Sequence, residues 1–404
     1  MVAEHRKAGH RDRRGSSLAI MVAPTGAQPP DATLVAEVIG LIERTEPPAH
    51  RDMLRTFATL YLKRLPDSDA PDLDPGELLA EIEDLLAFVS ASPPPDPHVR
   101  VVVPDADEVG YSTIGSVIQV IAPDGPFLVD SVTAAVTKAG AGIVRHLHPV
   151  IGTERSHDGT LVAVSTARMS AHRESVQHFE VDRRLDAAAA KALEESIRSV
   201  LRDVQAAVDD FDPMRRAVAR MAEAAKASVH SYGYEEIAEA VAFLEWLLDD
   251  NYVFLGYRDY EIDDGPEGPH VHAVADSGLG ILRGNGSEPS SILLADLPLH
   301  LQERYSGGSL MVIAKTNRNA TVHRDARMDY VGLRRLDDDG RMVAELRLLG
   351  LFTSKAYITP ASEIPVLRSK LQQVLKDQDV IEGSHDYKSL VQVFESFPKD
   401  DLFA

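Results

Sequence analysis

The sequence predicts an α+β protein: a helical N-terminal cap followed by tandem modules of antiparallel sheet with connecting helices. Three observations carry this. Apolar residues recur at helical spacing from Asp31 to Val89. The proline run SASPPPDP at 90–97 then stops that pattern and reads as a semi-rigid linker. Beyond it, short apolar strand-like runs alternate with amphipathic helices, an order that packs helices on one face of a mostly antiparallel sheet.

Within the cap, Leu34, Val38, Leu41 and Ile42 form the first stripe, Leu54, Phe57, Tyr61 and Leu65 the second, and Leu78, Leu79, Ile82, Leu85 and Leu86 the third. Asp74 can cap the third helix, Pro75 suits its first position, and Glu77 can complete a capping box. Residues 1–30, with the basic stretch HRKAGHRDRR and the short apolar run SLAIMVA, read as a disordered leader rather than a signal peptide. The cap and its linker occupy 31–97.

The first module covers 98–230. Val117 to Ala122 is a nearly all-apolar strand, and Leu128, Val132, Ala135, Val136 and Ala139 share one face of the helix after it. Ile143 to Ile151 is a second strand. Ser156, His157, Asp158 and Gly159 turn the chain into a third at Leu161 to Ser165, since Asp-Gly favours hairpins. His178 to Val181 is a fourth, and a long helix starts at Asp186. The second module, 231–378, opens with a helix carrying Ile237, Val241, Leu244 and Leu248. Strands follow at 252–262, 310–314, 329–335 and 342–349, then a helix with Ile364, Leu367, Leu371 and Val374, so that it repeats the first module in kind. Residues 379–404 read as the start of a truncated helical segment.

Composition removes several function classes. Asp plus Glu number 63 against 42 Lys plus Arg, a formal charge of -21, and such a field repels phosphate backbones and anionic lipid. Neither nucleic acid nor a membrane is therefore expected as a partner. No run approaches the roughly 18 apolar residues of a membrane span, which makes the cytoplasm the expected location. With no cysteine, disulfides, thiolate nucleophiles and Cys-based metal sites are excluded together. The motifs GxxxxGK[ST], HExxH and GxSxG are absent, and scattered carboxylates nominate no acid-base pair, so no catalytic residue is assigned.

Four features remain as candidates. DGPFLVDSV, from Asp124, puts a Gly-Pro turn between strand and helix. A helix N-terminus with free N–H groups favours a carboxylate, and Asp130, one turn in, can take an ammonium group; an ordinary strand-helix bend is the competing reading. His146 with His148 and His270 with His272 place two imidazoles on one face of a strand, short of the three or four ligands zinc needs. They read as structural or surface histidines, and no metal is expected. GLGILRGNG at 278–286 lacks the strand-and-helix context of a dinucleotide loop and reads as a turn-rich connector. Lys315, Arg318, Arg324, Arg327, Arg334 and Arg335 make a basic stretch that suits an anionic effector, an acidic neighbouring domain or a protected sheet edge.

Taken in order, GPFLVDSV, ESVQHFEVDR, NYVFLGYRDY, GLGILR, KTNRNATVHR, DYVGLRRLD, LLGLFTSKAY and IPVLRSKLQQVL resemble the N-terminal region of the large bacterial NAD-specific glutamate dehydrogenases, from about residue 110 onward. The resemblance implies ACT-like, that is ferredoxin-like βαββαβ, modules ahead of a catalytic dehydrogenase domain. It implies effector-binding residues at Asp124, Gly125, Pro126 and Phe127, with Asp130 and Ser131 on the first helical turn. Phe127 stands where many amino-acid-binding turns of this kind have a small residue. It further implies an amino-acid effector with allosteric regulation, a homo-oligomer, contacts with the catalytic domains of the same enzyme, and NAD as cofactor of the full-length enzyme with none in this chain. The rival expectation is a purely structural oligomerisation module without ligand.

Overall fold

The architecture is that of a computed structural model, which describes residues 32–45, 47–66, 73–284, 291–296, 302, 305 and 308–403. The expected leader at 1–30 lies outside them. Three cap helices, α1 (Ala32–Thr45), α2 (Pro48–Leu62) and α3 (Pro75–Ser90), form where the stripes predict. The Asp74 carboxylate accepts from the Gly76 and Glu77 amides, so two of the four unpaired N–H groups at the helix start are satisfied. Leu54, Phe57, Tyr61, Ile82 and Leu85 are fully buried. Removing such a side chain from water is worth about 1.5–3 kcal/mol.

The first sheet has six strands: β1 (His98–Val102), β2 (Val117–Pro123), β3 (Ile143–Leu147), β4 (Val150–Arg155), β5 (Leu161–Thr166) and β6 (Arg173–Val181). Its order is β1-β2-β6-β4-β5, with β3 also paired to β6, and every pairing is antiparallel. Helix α4 (Ala106–Val109) precedes β2, α5 (Leu128–Lys138) follows it, and α6 (Ala187–Asp209) follows β6. One face of the sheet, with Ile121, Leu147, Ile151 and Val176, closes on the cap. The other, with Ile118, Val120, Phe179 and Val181, closes on α5 and α6. Burial on both faces is why β2 reads as a nearly all-apolar run, broken only by Gln119.

The strand expected at 143–151 is broken by Pro149, which has no N–H for the ladder. Its two halves nonetheless keep one register along β6, Leu147 opposite His178 and Val150 opposite Ser175. Two differences concern polar strands. β1 was absent from the expected elements because HVRVV is short and charged. β6 starts five residues before the expected His178, and its polar Glu174 is paired inside the sheet: it accepts from Thr153 Oγ1 at 2.8 Å and Arg155 Nε at 2.8 Å.

Helices α7 (Phe211–Ala227) and α8 (Tyr234–Trp246) lead into the second sheet. Its strands are β7 (Tyr252–Gly265), β8 (Gly268–Ala273), β9 (Leu279–Gly280), β10 (Ser291–Leu293), β11 (Met311–Asn319), β12 (Arg327–Leu336) and β13 (Met342–Phe352). The order is β10-β8-β7-β13-β12-β11, with β9 beside β7. This module does not repeat the first in kind. β7–β8, β11–β12 and β12–β13 are long antiparallel neighbours joined by turns or a short loop, where the first module inserts a helix between β2 and β3. Helices α9 (Ser354–Ile358), α10 (Leu367–Asp377), α11 (His385–Ser396) and α12 (Lys399–Phe403) follow. The segment expected to begin a helix at 379 docks back on this module: Phe403 joins its core, and Lys370 Nζ donates to the Leu402 and Phe403 carbonyls at 2.8 and 3.0 Å. The two modules share apolar packing, because Leu255, Ala320, Val322, Met328 and Leu351 belong to the cluster around α5 and α6. Among the described residues no helix is long and apolar enough to cross a membrane.

Candidate functional site

The turn from Asp124 to Ser131 lies between β2 and α5. The Asp124 amide donates to the Arg173 carbonyl at 2.9 Å, and its carboxylate lies 3.7 Å from Arg173 Nε. Neither Asp124 nor Gly125 caps the helix. Phe127 is the N-cap, in the left-handed region at φ 67°, and no capping side chain serves the first amides of α5. A Cβ on Gly125 would meet nothing within 4 Å, so close packing does not demand glycine there. Pro126 is exposed beside it.

The loop between β11 and β12 contacts the other half of the predicted set, with Ser131 buried beneath it and Asp130 still exposed. His323 Nδ1 lies 3.0 Å from Asp130 Oδ2, and the His323 amide donates to Ser131 Oγ at 2.8 Å. The Phe127 and His323 ring centroids are 5.3 Å apart. Two clefts flank the turn. One, of about 340 Å³, has Asp124, His172, Arg173 and Glu174 in its wall. The other, of about 360 Å³, is bounded by Leu128, Arg202, Gln205, Asp209 and Arg283. The structure thus splits the six predicted residues, with Asp124 on a cleft and Phe127, Asp130 and Ser131 at the seam between modules. His323 and Arg202 were missed, since nothing local in the sequence ties them to the turn.

His146 and His148 stack at 6.3 Å with planes 16° apart, His146 lies 3.9 Å from the Phe179 ring, and His148 Nε2 is 2.8 Å from Ser175 Oγ. Burial first, and then neighbouring positive charge, lowers both imidazoles to about 4. They are neutral in the fold at pH 7 and behave as packing groups. A histidine whose folded pKa is depressed stabilises fully above its unfolded value near 6.5 and loses that contribution as pH falls toward 4. Denaturant midpoints are therefore expected to drop between pH 7 and pH 5, and less so in His148→Gln; equal drops in both chains would contradict this. His270 Nδ1 is 2.8 Å from the Gly268 carbonyl, and His272 lies near the carboxylates of Glu261 and Asp263.

One group with metal-ligand spacing occurs among the described residues, the buried Glu81 and His178 with the half-buried Glu180, between cap and sheet. Arg145 already occupies it. Its Nη2 donates to Glu81 Oε2 at 2.5 Å and its Nε to Glu180 Oε1 at 2.9 Å, while the Tyr61 hydroxyl donates to Glu81. Burial opposes the Arg145 charge, but Glu81, Tyr61 and Glu180 around it raise its pKa. A dication would face this fixed guanidinium, so the group reads as an ion network fastening the cap to the sheet. Its members come from four elements, which hid it from sequence reasoning.

The glycine-rich stretch is structural along its described part. The Ile281 amide donates to the Leu255 carbonyl at 2.8 Å, the Gly280 amide to Asp210 Oδ2 at 2.7 Å, and Arg283 grips Asp210 at 2.6 and 3.0 Å. In the basic stretch, Lys315 Nζ reaches Asp329 at 2.7 Å and Asp400 of α12 at 2.9 Å, and Arg324 Nη2 donates to the Phe352 carbonyl at 2.9 Å. Part of that charge is thus neutralised inside the chain.

Comparison with known proteins adds the family. Residues 57–197 match the family model "Glutamate dehydrogenase, ACT1 domain", and residues 364–404 match "Glutamate dehydrogenase, helical motif 1". The chain is 34% identical over 352 residues to the NAD-specific glutamate dehydrogenase of Halomonas elongata, covering 86% of this chain and 22% of that protein. It is 34% identical over 316 residues to that of Pseudomonas aeruginosa (76% and 19%), and 26% identical over 302 residues to that of Mycobacterium tuberculosis (74% and 17%). It therefore spans about a fifth of the length of the curated relatives it matches. With these two domains and these relatives, the chain matches an N-terminal region of the large NAD-specific glutamate dehydrogenases.

Proposed function

We propose that this chain is a regulatory and assembly region of an NAD-dependent glutamate dehydrogenase, with an amino-acid effector at the Asp124–Ser131 turn. The observation that carries the reading is the ACT1 match over the residues that build the first sheet and this turn. The strand order supports an ACT-like, ferredoxin-like module: β2, α5, the β3–β4 strand, β6 and α6 follow the βαββα order once β5, an added edge strand beside β4, is set aside, and β1 supplies the edge strand beside β2. In this reading Asp130 takes the effector's ammonium group, and the uncapped amides at the start of α5 take its carboxylate. The whole enzyme converts L-glutamate, water and NAD to 2-oxoglutarate, ammonium and NADH, with NAD and catalysis assigned to residues outside this chain. It works in the cytoplasm as a homo-oligomer.

Thermal-shift measurements over the L-amino acids test the reading. A ligand that binds only the folded chain raises the melting temperature by mass action. At least one amino acid is expected to do so in a saturable way, while glutamate plus NAD gives no NADH with this chain alone. No shift for any amino acid, together with a concentration-dependent oligomer, would favour the ligand-free assembly module.

A further inference from the structure

Two residues of the proposed effector turn on α5 are already engaged. Asp130 holds His323 Nδ1 at 3.0 Å, and Ser131, 1% exposed, accepts the His323 amide at 2.8 Å. The contact crosses from the second module to the first, with the partners 193 and 192 residues apart along the chain. His323 sits in the left-handed region at φ 72°, a conformation a histidine adopts where its surroundings enforce it. The surroundings here are specific. Ala320 and Val322 are buried against the α5–α6 core, Thr321 Oγ1 donates to Asp203 Oδ2 of α6 at 2.7 Å, and Asn319 Nδ2 donates to Asp325 Oδ1 at 2.8 Å. An imidazole N–H facing a carboxylate, with an amide N–H on the neighbouring hydroxyl, reproduces the donor pattern of an α-ammonium group.

We propose that the loop at 320–326 is an internal competitor, its His323 occupying the ammonium position of the turn until a free amino acid displaces it. This rests on the reading of the turn as an effector site. Displacement frees the connection between β11 and β12, so occupancy in the first module is transmitted to the second sheet as release of a contact. A site closed most of the time binds more weakly by the fraction that is open, and removing the competitor restores the intrinsic affinity.

The test is calorimetric titration of the 404-residue chain with individual L-amino acids, the 2-oxo acids serving as controls that lack the ammonium group. His323→Ala is expected to bind the active amino acid about tenfold more tightly than wild type. A second variant guards against simple misfolding. The chain has no cysteine, so Thr321→Cys with Asp203→Cys can be bridged by a short bismaleimide, leaving the turn residues untouched. The bridged chain is expected to lose binding and the unbridged chain to keep it. Wild-type binding with no gain in His323→Ala, or undiminished binding in the bridged chain, overturns the competitor while the turn reading stands. Absence of heat in wild type and His323→Ala alike overturns the turn reading and the competitor with it.

Discussion

Arg145→Ala is expected to destabilise the chain by about 3–5 kcal/mol, because it leaves the buried Glu81 and the half-buried Glu180 with no cation between them. The side chains of Arg145 and Glu81 are 6% and 5% exposed, so water cannot replace the lost donor. Two carboxylates against one guanidinium already leave the group short of positive charge. The His178 ring lies beside them, its Nε2 3.8 Å from Glu81 and 3.9 Å from Glu180. Denaturant unfolding of wild type and Arg145→Ala reads the effect directly. The exposed pair Lys226–Glu223 is the internal control, since surface pairs contribute about 0–1 kcal/mol. A loss under 1 kcal/mol in Arg145→Ala would mean that the cap is not fastened through this network.

Gly280→Ala is the second large effect. A Cβ there would lie 2.1 Å from the Leu255 carbonyl oxygen and 3.2 Å from Met214 Sδ, and the residue has φ 60°. Left-handed backbone costs a non-glycine residue about 1–2 kcal/mol, and pushing the loop away also strips the bonds to Leu255 and Asp210, so about 3 kcal/mol or more is expected. Gly125→Ala, with open space and φ outside the left-handed region, is expected to stay within about 0.5 kcal/mol. Thermal unfolding of both variants separates them. Unchanged stability in Gly280→Ala would contradict the structural reading of GLGILR.

The parts of this fold that the sequence announces are those whose signal is local. The cap helices show because their stripes and the Asp74-Pro75-Glu77 start act within one helix, and β2 shows because both of its faces are buried. β1 and the first half of β6 do not show, since their Arg, Glu and Ser residues look solvated until the sheet supplies partners such as Arg155 for Glu174. The second sheet was expected to repeat the first because strand and helix runs alternate in both; the turn-joined strand pairs and the pairing of β13 against β7 across the intervening strands distinguish the two. The turn was found for the same local reason as the cap, through Gly125-Pro126 before an amphipathic helix. Its cover was invisible, because His323 arrives from the other module and nothing near it in sequence points to Asp130.

Hydrogen–deuterium exchange on the chain, with and without the amino acid that most stabilises it, tests the central claim most directly. If the turn is a sensor site, the amides of 124–131 slow when ligand is added, and those of 320–326 exchange faster as the loop leaves. Protection confined to other segments, or no change anywhere at saturating ligand, would make DGPFLVDSV a bend and the region an assembly device.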